Sequence, residues 1–152
     1  MLYILLQVHS ILRWIVLLTI LLAVYRAWMG LIARRSFTTF DNSVRHWTAT
    51  AFHVQLMVGI LLFTQSPVVS GFWHNFREAS GNMDSLFFGL LHGVLMLTAI
   101  VLVTIGSSLT KRKKTDREKF ATMLLWYTLA LLIILIAIPW PFSPLASRPY
   151  LR

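Results

Sequence analysis

The chain has 152 residues, 57% of them hydrophobic and 12% charged, whereas a water-soluble domain is about half apolar and a quarter charged. It contains no cysteine, which excludes structural disulfides, thiolate nucleophiles and thiolate metal sites and leaves histidine and methionine as the soft ligands. The formal net charge of +9 lies in short blocks beside apolar runs, without interleaved aromatic residues; it marks loops flanking membrane helices and argues against a nucleic-acid surface.

Four apolar stretches follow one another. The first runs from about Leu2 to Met29 and is interrupted by His9 and Arg13; the second spans about Trp47 to Val69, the third Ser85 to Ser108 and the fourth Phe120 to Ile138. Each can cross a hydrocarbon core of roughly 30 Å, which takes about 20 helical residues. Backbone groups in lipid must bond within their own segment, and barrel-type alternation is absent, so the spans are expected to be helices. The expected fold is an all-α integral membrane four-helix bundle, a single domain over residues 1–152.

Local chemistry sets the expected boundaries. Thr115 and Glu118 have capping-box spacing before the fourth span. Asp84 or Ser85 can cap the third helix. Pro139 and Pro141 stop the fourth, because proline cannot continue the hydrogen-bond ladder. Ser66-Pro67 marks the frayed end of the second span, and Ser70 to Met83, with Gly71, Gly81 and Asn82, reads as a loop.

Ten lysines and arginines lie in the first and third loops: Arg26, Arg34, Arg35, Arg45, Lys111, Arg112, Lys113, Lys114, Arg117 and Lys119. Only three, Arg77, Arg148 and Arg152, lie on the other side. The positive-inside rule therefore predicts cytoplasmic basic loops and both termini outside, in the bacterial inner membrane. The first span lacks a basic leader and a small-residue cleavage site, so it is expected to be retained.

Ionisable and polar groups within the spans are costly and therefore informative. They are His9, Arg13, His53, Gln55 and His92, with His46 and His74 expected at the interfaces. At about 1.5 Å of rise per residue, His9 and His92 both lie roughly 10 Å below the outer surface, while His53 lies roughly 9–12 Å above the inner one. Two histidines at one depth on different helices suit a b-type haem, whose iron takes an axial nitrogen from each side. Gly89, one turn before His92, and the adjacent Gly93 would make room for the macrocycle. Trp14 and Phe88 could line its edge, and Arg13, one turn from His9, could pair with a propionate.

Each feature also has a structural alternative. Intramembrane histidines hydrogen-bond neighbouring helices, Gly89 and Gly93 have small-xxx-small packing spacing, and Arg13 could pair with a carbonyl, a lipid headgroup or Gln55. A copper or zinc site would need three or four converging ligands, and the available Met57, Met96 and Met123 are commonly packing residues. Hydrolytic chemistry lacks a carboxylate inside any predicted span.

The segments His9-Ser10-Ile11-Leu12-Arg13-Trp14, Phe52-His53-Val54-Gln55-Leu56, Thr104-Ile105-Gly106-Ser107 and Ile138-Pro139-Trp140-Pro141-Phe142 resemble small four-helix membrane proteins common in Bacteroidetes and labelled cytochrome b or cytochrome b-like. The resemblance covers nearly the whole chain. It implies the same fold, a haem, and polar positions at His9, Arg13, His53 and His92. Such proteins often carry Glu before the third-span histidine, where this chain has Leu91, so the carboxylate that a proton-coupled role would use is missing.

Together these readings predict a membrane carrier of haem b that passes electrons, with a quinone or a redox partner protein as the exchange partner. His9 and His92 would be the axial ligands, Arg13 a propionate partner, and His53 a second-site or proton-relay residue. The competing expectation is a cofactor-free subunit that docks onto a larger assembly through its helix faces. The bilayer is a partner in either case, and an oligomer is compatible with both.

Overall fold

The computed structural model describes residues 1–146. The chain is an all-helical, multi-pass membrane protein. Four helices are long and apolar enough to cross a bilayer: α1 (Leu2–Ile32), α2 (Thr39–Gln65), α5 (Met83–Arg112) and α6 (Asp116–Ala137). Two short helices, α3 (Pro67–His74) and α4 (Phe76–Ala79), join α2 to α5. No strand occurs among the described residues.

The spans run up and down, and α1 packs on α2 and α6, α6 on α5, and α5 on α2. Around this ring α1 lies diagonally opposite α5, and α2 opposite α6. The outward faces carry Leu18, Trp28, Met57, Val101, Leu125 and Ile136, all more than half exposed, as lipid-facing positions require.

The four helices are tightest where the basic loops lie. Ile20, Ala23, Ala27, Val103, Phe120, Met123, Tyr127 and Ala130 are almost fully buried there. Small residues permit the close approach: a Cβ added at Gly30 would enter the Phe120 ring, and one at Gly106 would meet the Trp126 side chain. Polar groups also close this end. Arg45 is 6% exposed and donates to Asn42 Oδ1 from Nε (3.1 Å) and Nη2 (2.9 Å), and from Nη1 to the Ser107 carbonyl (3.1 Å) and hydroxyl. Tyr127 Oη donates to the Arg45 carbonyl at 2.7 Å, tying the α2/α6 diagonal.

The second helix begins eight residues before the expected Trp47, because Thr38 and Asp41 form a capping box. Asp41 is 1% exposed and so places a carboxylate within a spanning helix, contrary to expectation. It accepts from Arg26 Nε at 2.8 Å and from the Thr38 amide and hydroxyl at 2.9 and 2.7 Å. The helix is viable there because Arg26 pairs with the carboxylate and Thr38 satisfies it further.

The same helix stops at Gln65 rather than Val69, and the chain then departs further from the expected loop. Ser66 caps α3 by accepting from the Val69 amide at 3.4 Å, with Pro67 at the first helical position, where its missing N–H costs nothing. The start of α5 is capped by Asn82 Oδ1, which accepts from the Ser85 amide at 3.0 Å, in place of the expected Asp84 or Ser85. Thr115 and Glu118 form the expected capping box on α6, and that helix ends at Ala137, just before Pro139. The expected outer positions of Arg148 and Arg152 lie outside the described residues.

One backbone position is strained. Arg34 has φ 48° in the turn that ends α1, a left-handed conformation that glycine usually takes after a helix and that costs other residues roughly 1–2 kcal/mol.

Candidate functional site

At the end of the bundle away from the basic loops, α1 and α5 diverge around two histidines. His9 projects from the third turn of α1 and His92 from α5, and their ring centroids are 6.3 Å apart at an interplanar angle of 67°. The equal depth expected from helical rise therefore becomes a direct juxtaposition across the α1/α5 diagonal.

His92 is aimed by two devices. Phe87–Leu91 is a π-helical segment, an insertion that shifts the register of everything N-terminal to it and is frequent at functional sites. The rings of Phe87 and Phe88 then flank the imidazole at 5.6 and 6.4 Å. The second device is the end of α6. Its last carbonyls lack intrahelical donors, and Pro139 and Pro141 can supply none. Side chains fill the deficit: Trp140 Nε1 donates to the Leu135 carbonyl at 2.8 Å, and His92 Nδ1 to the Ala137 carbonyl at 2.9 Å. A carbonyl only accepts, so Nδ1 carries the proton and Nε2 keeps a lone pair.

His9 is held differently. Its backbone carbonyl accepts from Gln55 Nε2 at 3.1 Å, whereas its buried Nδ1 has no hydrogen-bond partner among the described residues. Gln55 therefore serves the backbone of α1 and leaves its own Oε1 buried and unpartnered. Gly59 stands opposite, where an added Cβ would lie 3.5 Å from His9 Cε1.

A cleft extends to both sides of the histidine pair. One lobe of about 290 Å³ runs between α2 and α5, with Gln55, Gly59, Phe63, Gly93, Met96 and Ile134 in its walls. Ile60, Val94 and Leu97 also line it and are about half exposed, so this lobe opens sideways towards lipid. The other lobe, also about 290 Å³, lies towards α3 and is bounded by Leu6, Leu62, Pro67, Val69 and Pro139. His9, Arg13, Gly59, Phe63, Phe88 and His92 border both lobes.

The remaining expected site residues divide. Arg13 faces the cleft; its Nη2 donates to Ser10 Oγ at 3.3 Å, and its guanidinium lies 5.5 Å from the Trp14 ring centroid. Gly89 borders the α2/α5 lobe, but an added Cβ would strike the Phe72 ring, so its smallness seats α3 on α5. Trp14 stands outside both lobes and packs edge-to-face on Trp140 at 6.1 Å. His53 is exposed and also outside the cleft; its Nδ1 donates to the Ala49 carbonyl at 2.7 Å and its Nε2 lies 3.2 Å from Thr104 Oγ1.

The donor set can be tested against a six-coordinate haem. An imidazole nitrogen lies about 2 Å from a metal it ligates, so two imidazoles on opposite sides of one ion have centroids on the order of 6 Å apart. The 6.3 Å separation meets that requirement. The backbone carbonyl on His92 Nδ1 is a common outer-shell partner of a ligating histidine, and the orphaned Nδ1 of His9 leaves one ring nitrogen without a protein partner. The two lobes leave space on either side of the pair. Among the described residues, no cluster of three or more His, Cys, Asp or Glu side chains converges.

Fold and site together define a small multi-pass helical membrane protein with a paired-histidine cleft open to the bilayer. No family model, curated protein or solved structure matches the chain.

Proposed function

We propose that the protein binds haem b between His9 and His92 and carries electrons within the bacterial inner membrane. The observation that carries this reading is the facing imidazole pair, 6.3 Å apart, with His92 Nδ1 anchored on the Ala137 carbonyl. When bound, the haem would supply one-electron redox chemistry.

The chain's own residues bind, orient and screen. His9 and His92 would hold the haem through ring nitrogens. Arg13, on the border of both lobes, offers a cation to a propionate. The Phe87 and Phe88 rings give His92 an apolar flank, and Phe63 adds an apolar wall to both lobes. The resemblance to small cytochrome b-like membrane proteins agrees with this assignment. The lateral opening beside Ile60 and Val94 favours a lipid-soluble exchange partner such as a quinone, because an apolar ligand reaches it without leaving the membrane.

The test is the visible spectrum of detergent-purified protein from haem-replete cells. A Soret band that sharpens and shifts on dithionite reduction is expected in the wild type and in His53→Ala. His9→Ala and His92→Ala should each lose the sharp reduced α band. If the purified protein stays colourless and fails to take up added haem, the haem reading falls and the cofactor-free docking subunit replaces it.

A further inference from the structure

At the opposite end of the bundle a second cleft, of about 640 Å³, separates the end of α1 from the start of α6. Arg34, Arg35 and Arg117 line it, with Ser36 and Asp116. Asp116 lies 3.8 Å from Lys119 Nζ, so its charge is partly answered from outside the cleft. Among the described residues no carboxylate is within ion-pair distance of any of the three arginines. Arg34, Arg35 and Arg117 thus line one concavity whose carboxylate, Asp116, is paired with Lys119 rather than with any of them.

Two further observations point to a ligand. Arg34 occupies the left-handed position after α1 at φ 48°, where glycine would relieve the strain; outliers of this kind concentrate at ligand clamps. The cleft also sits at the ends of two membrane spans. Leu31 and Ile32 line it, and Ile32 is 62% exposed, so apolar surface continues from the arginines along the lipid-facing side of α1. Basic pockets of this kind at the ends of membrane helices suit anionic headgroups, and the guanidinium fork matches two phosphate oxygens at once.

We infer that the Arg34/Arg35/Arg117 cleft binds a phosphate-bearing anion at headgroup level. An anionic phospholipid and a soluble phosphate ester present the same chemistry, and binding measurements separate them. The inference is independent of the haem reading, since the two sites occupy opposite ends of the bundle.

The test titrates short-chain phosphatidylglycerol, short-chain phosphatidylcholine, glycerol phosphate and inorganic phosphate into the full chain in non-ionic detergent. Binding is followed by intrinsic tryptophan fluorescence and by native mass spectrometry. Phosphatidylglycerol should bind and phosphatidylcholine should not. At about 1 kcal/mol per basic residue near a membrane surface, or roughly fivefold each, the combined change Arg34→Gln, Arg35→Gln, Arg117→Gln should weaken binding on the order of 100-fold. The change Lys113→Gln, Lys114→Gln removes two nearby charges that do not line the cleft and should weaken it by less than about fivefold. Arg34→Gly adds a separate readout: the unliganded protein should melt higher, while phosphatidylglycerol binds more weakly. Glycerol phosphate binding as tightly as phosphatidylglycerol would support the phosphate site and assign it to a soluble ester. Equal losses in the arginine and lysine variants, or no binding by any of these probes, would overturn the inference.

Discussion

Replacing His9 by leucine should make the empty protein no less stable while abolishing haem uptake. His9 Nδ1 is buried and without a partner among the described residues, and an unsatisfied buried polar atom costs about 1–3 kcal/mol. Leucine removes that atom, keeps comparable bulk against Gly59, and leaves the bond from Gln55 to the position-9 carbonyl available. The apo variant should therefore match the wild type or exceed it by up to about 2 kcal/mol, the middle of that range. His92→Phe should behave in the opposite way. It removes the His92 Nδ1 donor from the Ala137 carbonyl, and interhelical bonds in membranes are worth about 0.6 and at most about 1.7 kcal/mol, so a loss of about 1 kcal/mol is expected. Melting of haem-depleted protein in detergent, read by size-exclusion chromatography after heating, measures stability; the reduced spectrum after reconstitution measures uptake. A His9→Leu protein that is destabilised by more than about 1 kcal/mol yet still takes up haem would refute the reasoning, because His9 would then be a packing residue.

Three other outcomes are expected. Asp41→Asn leaves Arg26 beside a neutral group and weakens the capping box; with Arg26 partly solvated, the loss should be about 2–3 kcal/mol, and a melting curve superimposable on wild type would contradict it. Gly106→Ala drives a Cβ into Trp126 and should cost about 1–3 kcal/mol, whereas Gly71→Ala meets nothing within 4 Å on the exposed face of α3 and should gain about 0.5–1 kcal/mol; the two melting shifts should have opposite signs. Arg35→Cys and Lys113→Cys should resist a membrane-impermeant thiol reagent in sealed cells and Arg77→Cys should react, since the chain has no cysteine of its own; the reverse pattern would invert the orientation drawn from the charges.

The spanning helices and the shared level of His9 and His92 were legible in the sequence because hydropathy and helical rise are linear in residue number. Pro139 was equally readable as a stop. The sequence did not reveal what that stop creates: an orphan carbonyl at Ala137 that selects the tautomer of His92 from 45 residues away. The π-helical turn before His92 has no compositional signature; Gly89 still borders the same lobe as the histidine, but its small size is used against Phe72. The helix starting at Thr39 was obscured by Asn42, Arg45 and His46, whose polarity reads as loop until Ser107 and Tyr127 supply partners from other helices. The short helices α3 and α4 were hidden by Gly71 and by their brevity, although Ser66-Pro67 was as good a start signal as a stop. Trp14 was misplaced because neighbours on one helix were credited with a common destination, and Trp140 drew it away.

The aiming of His92 by the Ala137 carbonyl has a consequence for biogenesis. His9 is in the first span to leave the ribosome, His92 in the third, and the group that orients His92 is at the end of the fourth. Contacts this distant in sequence form late, so a nascent chain with three inserted spans holds both histidines but has no means of setting the second one's tautomer. Ligand uptake at this cleft would then report that the last span has been inserted and docked, and pulse-labelled chains truncated before Asp116 should retain no haem even when they reach the membrane.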